Sequence, residues 1–494
     1  MGLTQHFPVF IIAVPILGAV MLSILAAWRK GLAMPITATA IASSLAMSVS
    51  LIPGVLAKGY LSYYTGSWRP PLGIEIKIDF LGLFMMILVA AVSLMAVIYS
   101  ERYIPREIDT DKIPHYYTLF LLLTGSMLGF SATGDIFNMF VFIEIMAITS
   151  YALVAVVESG RAIRASFKYL LMGVPSSILM LFAIAFLYAV TGTLNMGDLT
   201  QKIAATSYPR IAIIAYGIFV ISFAVKSALF PLHIWLPDAH SIAPSPISAL
   251  LSGLVVKMGI LGIIRFTYNI YTVHYSPEIN GISTMLSFIG AFAIIFCSIM
   301  AIRQKELKRM IAYSTVAHIG YIYIGVGLMN KAALVGSIFH ILDHSLAKAC
   351  LFMVAGSIIY ASGYRNINDL KGAARKMPFS CAAFALAAAS VVSIPPSAGF
   401  FSKWYLITGS LSSGNIILTV ALLTGSVLAA FYCFRVVSYM FFLPPERGHW
   451  DKVADDVPVS MLVPVWILAL STLLFGVFSF PILRLLEKAV ETLF

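Results

Sequence analysis

Fourteen apolar runs of roughly helical-span length follow one another along this chain, and nothing else restricts it as much. They fall near residues 7–27, 34–56, 78–99, 114–132, 134–157, 165–191, 209–230, 245–270, 281–301, 308–329, 332–360, 378–410, 414–442 and 459–484. A helix of about 20 apolar residues crosses the hydrocarbon core of a bilayer and satisfies every backbone N–H and C=O within itself. The expected fold is therefore an all-α polytopic membrane protein with about 14 transmembrane helices. Only 11% of the residues are charged, against about 25% in a soluble domain. The first run lacks a basic leader and a cleavage site, so it reads as a retained helix.

The net charge of +11 reports topology rather than a nucleic-acid partner, since no basic run or aromatic–basic module accompanies it. With the N-terminus outside, eighteen Lys and Arg fall in inner loops and nine on the outer side, the latter including Arg265. The inner set includes Arg29, Lys305, Lys308, Lys371, Arg447 and Lys452. Both termini are then expected outside a cell membrane. Five basic residues remain within the runs: Lys226, Lys257, Lys348, Lys403 and Arg435. Cys297, Cys350, Cys381 and Cys433 lie in apolar segments without CxxC spacing, which argues against disulfides and metal or cluster ligation. Between the second and third runs, YLSYYTGSWRPPLGIEIKID predicts an outer β-hairpin acting as a structural cap.

A lysine at mid-membrane costs roughly 2.5–3.5 kcal/mol even on gentle insertion scales, so each one asks for a function. Lys226 lies deep in the seventh run, five residues before Pro231, where the helix has to break. Lys403 follows Pro395-Pro396 and Gly399 in the twelfth run in the same manner. Glu144 sits among Phe142, Ile143 and Ile145 and needs a cationic partner, Lys226 or Lys257. Asp135 precedes a helix start and reads mainly as a cap. His340, His344 and Lys348 recur four apart, which puts three titratable groups on one helical face. His318 in the tenth run and His240 after Pro231 are further candidates, each with a structural hydrogen bond as the plain alternative. The i, i+4 histidines also raise metal binding, but no glutamate completes a hydrolase motif. Asp343 is expected to pair locally, and Arg435 to snorkel to the inner interface.

Six stretches in order give a resemblance: TGDIFNMFVFIEI, FAVKSALFPLHIWLPDAH, SPISALLSGLVVKMG, LKRMIAYSTVAHIGY, FHILDHSLAKACLF and SIPPSAGFFSKW. Over residues 70–440 the chain resembles the antiporter-like subunits of Mrp-type Na+/H+ antiporters, membrane-bound hydrogenases and respiratory complex I. The wording around Glu144 is most similar to the D-type component of Mrp and its hydrogenase counterpart. Lys257 and Lys403 stand where the L-, A- and M-type relatives carry other residues. The resemblance implies two inverted five-helix repeats, each with one broken helix. It divides the chain into 1–113 (first three helices with the hairpin), 114–270 and 281–442 (the repeats), and 459–494 (the last helix). It also places His233, Asp238 and His240 at an inner-side helix break.

The functional expectation is a lateral relay for H+, with Na+ as the candidate exchanged ion. It runs from Glu144 and Lys226 to Lys257, His318, His340, His344 and Lys348, and ends at Lys403. Burial penalises a lone ammonium, while a carboxylate at ~4 Å returns about 4 kcal/mol at an effective dielectric of ~20. Effects so nearly matched let a small carboxylate movement decide where a proton resides. No redox centre, nucleotide loop or nucleophile constellation is present in the sequence, so no cofactor and no catalytic centre are expected in this chain. Its expected partners are other membrane subunits, in a stand-alone antiporter or in a redox complex of the hydrogenase or complex I kind, and the lipid bilayer.

Overall fold

The computed structural model describes residues 3–25, 30–271, 276–445, 450, 453 and 455–494. Arg29, Arg447 and Lys452, three of the inner-side charges, lie outside them. Among the described residues twelve helices are long and apolar enough to cross a membrane. They account for all the predicted spans except the fourth and twelfth. The fourth is a full helix, Ile113–Ala132, whose start is made polar by His115, Tyr116, Tyr117 and Thr118. The twelfth is interrupted, as Pro395-Pro396 require, into Pro378–Val392 and Ala398–Ser412.

Helix ends follow local chemistry. Asp135, Ser159, Ser276, Asn330 and Asn415 each accept backbone N–H groups at the first turn of a helix. The two longest helices, Gly160–Thr191 and Lys331–Ser362, both stop at a left-handed glycine, Gly192 (φ 67°) and Gly363 (φ 77°). The eighth, tenth and eleventh spans are the most enclosed of the bundle, and most of the polar residues discussed below lie on them. The ninth helix, Pro277–Arg303, meets the tenth, Leu307–Gly327, through glycines. A Cβ on Gly290 would lie 2.6 Å from the Gly320 carbonyl oxygen, so the close approach needs glycine there.

The predicted hairpin forms from antiparallel strands Tyr60–Tyr64 and Glu75–Asp79. Its last residue, Asp79, starts the third helix by accepting the Gly82 N–H at 2.8 Å. Arg265 grips the same carboxylate with both terminal nitrogens, Nη2 reaching Oδ1 at 2.6 Å. Burial pushes the Asp79 carboxyl up, but the Arg265 charge and hydrogen bonds outweigh it and hold it below the ordinary carboxylate range. The sequence places Arg265 in an outer loop. Instead it begins a π-helical turn, Arg265–Ile270, inside the eighth span, and is buried because Asp79 supplies its counter-charge.

Three further expectations change. Lys308, counted as an inner-loop charge, is 2% exposed and donates to the Ala243 carbonyl. Arg435 does not run free to an interface: its guanidinium donates to the carbonyls of Ile302 and Gln304 and so caps the end of the ninth helix. The fourteenth span stops at Val477, and a separate amphipathic helix, Ser479–Glu491, follows with Leu483, Leu486 and Val490 inward.

Candidate functional site

The seventh span, Pro209–Lys226, ends on its lysine, and a short helix Leu236–Ile242 resumes after the break. Pro231 has no N–H to continue the ladder, and across the break the Val225 carbonyl accepts the Trp235 indole N–H at 3.1 Å in addition to the Ala228 N–H. Both breaks hold a non-glycine residue in the left-handed region, Ala228 (φ 55°) and Ser393 (φ 78°), a strain of about 1–3 kcal/mol each that clusters at functional sites. At the first break Lys226, buried, donates to Ser177 Oγ at 2.7 Å and to Glu144 Oε1 at 3.3 Å. The Ser177 hydroxyl donates in turn to Glu144. Of the two partners open to Glu144, the structure selects Lys226.

A second set fills the centre of the bundle. Lys257, fully buried, lies 2.6 Å from His344 Nδ1 and donates to the Ser252 carbonyl. His318 Nδ1 and His340 Nε2 share a hydrogen bond of 3.0 Å with their rings stacked, and the His344 ring is 5.2 Å from that of His318. His340 Nδ1 reaches Ser402 Oγ at 2.9 Å. Lys348, one turn beyond His344, bonds to Ser314, itself one turn before His318. Lys403, 3% exposed, donates to Val391 O and Ser426 Oγ, each at 3.1 Å, and lies over the Tyr321 ring at 4.5 Å. Trp404 points outward and is 56% exposed, so it does not hold Lys403 at an interface.

Lys257, the three histidines, Ser402 and Lys403 therefore adjoin one another across the eighth, tenth, eleventh and twelfth spans. Lys226 stands apart: among the described residues no hydrogen bond or ion pair joins it to Lys257. Ser227, next to Lys226 in the chain, has its Oγ 2.6 Å from Tyr323 OH of the tenth helix.

The accessory residues divide. Asp135 is a helix cap, its Oδ1 accepting from Phe137 N and Asn138 N, while burial pushes its carboxyl up. Asp238 pairs with Lys168 at 2.6 Å and Arg309 at 3.3 Å, tying the short helix Leu236–Ile242 to the bundle. His233 lies 3.9 Å from Cys297 Sγ. His240 is fully buried, stacks on Phe352 at 5.0 Å, and has no hydrogen-bond partner on either ring nitrogen among the described residues. Lys308, Lys257 and Lys348 all act on it electrostatically. Sequence reasoning missed Ser177, Ser314, Ser402 and Ser426, because a serine hydroxyl in an apolar helix bonds its own backbone cheaply and raises no alarm, and Tyr321 and Tyr323, because a tyrosine in an apolar run reads as packing. Among the described residues no group of three or more His, Cys, Asp or Glu has the geometry to hold a metal, and both nitrogens of His340 are already engaged.

The family profile for the NADH:quinone oxidoreductase/Mrp antiporter transmembrane region matches residues 133–429. The N-type subunit of the NADH-quinone oxidoreductase of Desulforudis audaxviator is 36% identical, covering 97% of this chain and 97% of that protein. The D-type subunit of the Na+/H+ antiporter of Alkalihalophilus pseudofirmus is 30% identical, covering 93% of this chain and 92% of its own. A chain in the structure of the membrane-bound sulfane sulfur reductase, an archaeal respiratory membrane complex, superposes with a TM-score of 0.90 at 29% identity, over 98% of this chain and 97% of that one.

Proposed function

Because this chain belongs to the NADH:quinone oxidoreductase/Mrp antiporter family of membrane subunits, we propose that it is the antiporter-like, H+-carrying subunit of a multisubunit membrane complex. One observation carries the reading: buried, mutually adjoining Lys and His side chains run from Lys257 to Lys403, between two helices that break beside a lysine. Packing alone does not favour so many ionisable groups in an apolar bundle. A proton at the His344–Lys257 pair can pass by His318 and His340 toward Lys403: the His344–Lys257 and His318–His340 contacts are hydrogen bonds, and the His318 and His344 rings lie 5.2 Å apart. The Glu144–Lys226 pair sets the charge at the other end. When Glu144 withdraws, the ammonium loses its counter-ion and a proton is driven inward. Na+ is the candidate exchanged ion, as the name of the Na+/H+ antiporter relative suggests.

A second reading, a coupling subunit moved by electron transfer elsewhere in a redox complex, is favoured by the NADH-quinone oxidoreductase relative and by the sulfane sulfur reductase likeness. Subunits that co-purify with the chain separate the two. Iron–sulfur or nickel proteins select the redox complex, and small membrane subunits alone select the antiporter.

We also propose that spans 4–8 and 9–13 are inverted repeats. In each, the residue before the second helix forms an isolated antiparallel bridge sixty positions on, after the third helix: Asp135 with Asn195, and Glu306 with Asn366. The third helix is 32 residues long in both, and the fourth is the broken one. With both termini outside, these bridges fall on opposite faces of the membrane. A cysteine introduced at position 65 should then label from outside, and cysteines at 305 or 371 only from the inner side; the reverse pattern refutes this orientation.

Lys403 tests the relay directly. Arginine fits a charge-holding role but keeps its proton at accessible pH. Lys403→Arg should therefore lower proton uptake by vesicles containing the assembled complex by about 10²-fold, and Lys403→Glu should retain part of it. Normal uptake by the arginine variant removes Lys403 from the mechanism.

A further inference from the structure

The most deeply buried carboxylate among the described residues has no place in this scheme. Asp343, 1% exposed, lies mid-helix in Lys331–Ser362, between His340 and His344 in sequence but turned toward the twelfth span. The Ser390 hydroxyl, at the end of Pro378–Val392, donates to its Oδ1. Its Oδ2 has no hydrogen-bond partner among the described residues and faces Gly399, where an added Cβ would come within 3.0 Å of it. Gly399 lies in the first turn of Ala398–Ser412, four residues before Lys403, so the two share one helical face. Lys403 and Lys348 are the cations acting on this carboxylate. An unpaired carboxylate oxygen held dry beside a helix break is costly unless it is used.

We propose that Asp343 is the proton-exchanging counter-carboxylate of Lys403, an assignment that rests on the translocation reading above. Each broken-helix lysine then has a carboxylate and a serine hydroxyl at hand: Glu144 and Ser177 for Lys226, Asp343 and Ser390 for Lys403. The two sets come from different helices of the proposed repeats, so duplication alone does not account for the likeness. In the arrangement seen, Lys403 is held by Val391 O and Ser426 Oγ. On leaving them, its ammonium meets the free Oδ2. One N–H bond breaks and one O–H bond forms, and a +1/−1 pair becomes a neutral amine and a neutral carboxyl. Release of that proton from Asp343 leaves the Lys403 amine neutral, and the next proton, arriving by way of His340, restores the ammonium.

The plain alternative is that Asp343 only pins the two halves of the twelfth span through Ser390, which also accepts the Gly399 N–H at 3.3 Å. Asp343→Asn separates them, because asparagine keeps the size and the acceptor for Ser390 but loses the charge. Proton uptake by vesicles carrying the assembled complex should fall about tenfold or more in Asp343→Asn, and partly recover in Asp343→Glu. Lys403→Met serves as the reference. Uptake near wild type in Asp343→Asn, with Lys403→Met inactive, overturns the assignment and leaves the translocation reading standing. Normal uptake in both variants overturns that reading itself. If Asp343→Asn does not assemble, Ser390→Ala decides, since it removes only the hydroxyl on Oδ1. A shifted pH profile of uptake supports proton exchange at Asp343, with Lys403 on the facing helix and Lys348 on its own as the charges around it. An unchanged profile overturns it.

Discussion

Lys226→Ala should abolish ion translocation while the complex still assembles. The ammonium is buried, donating to Ser177 and Glu144. Its removal also lifts the cost of burying that charge, so assembly is expected to survive. The transport cost is different in kind. Without an exchangeable proton at the helix break, the Glu144 end of the pathway has nothing to hand on, and a loss of about 10²-fold or more is expected. Lys226→Arg should fail almost as badly, since guanidinium retains its proton. Glu144→Gln should resemble Lys226→Ala, Glu144→Asp should keep part of the activity, and Ser177→Ala should show a smaller loss. Uptake assays on vesicles, alongside native gels for assembly, read these outcomes. Wild-type transport by assembled Lys226→Ala sinks the relay.

The largest effect on stability is expected at the opposite kind of charge pair, one that does not move. Asp79 binds Arg265 through two oxygens and caps the third helix at the same time. Arg265→Met strands that carboxylate between the hairpin and the eighth span, and should cost about 3–5 kcal/mol. Asp79→Asn should cost a similar amount, and the double variant less than either single change, since no charge is then left alone. Thermal unfolding of the detergent-purified complex measures all three. A double variant as unstable as the sum of the singles rules out the pairing account. The sign with pH follows from the Asp79 carboxyl lying below its ordinary range. The clamp's contribution is complete above the unfolded carboxylate range and is lost as pH falls through the lower folded value; Asp79→Asn should be flat there.

Both predictions depend on which buried charges have partners, and that is where sequence and structure separate. The membrane class, the run of spans, the hairpin and the two broken helices follow from the chain alone. Each is imposed by a short-range cause: about 20 apolar residues match a bilayer, alternating IEIKI suits a strand, and proline cannot continue a helix. Lys226, Lys257 and Lys403 are legible for the same reason, because a lysine among apolar neighbours is expensive wherever the helix lands.

Pairing is not legible, because it depends on how helices cross. Arg265 and Lys308 stand near the ends of apolar runs and read as loop charges; only the approach of Asp79 and of the Ala243 carbonyl makes them interior. Arg435 reads as a snorkelling side chain until the end of the ninth helix is seen beneath it. Helical spacing puts His340, His344 and Lys348 on one face, yet cannot reveal that His318 stacks on His340 or that Lys257 meets His344. Asp343 shares that helix, and its sequence neighbours give no sign that its free oxygen faces the break before Lys403. Backbone breaks and burial costs are written residue by residue. Which donor meets which acceptor is decided by side chains tens to hundreds of residues apart, once packed helices bring them within a few ångströms.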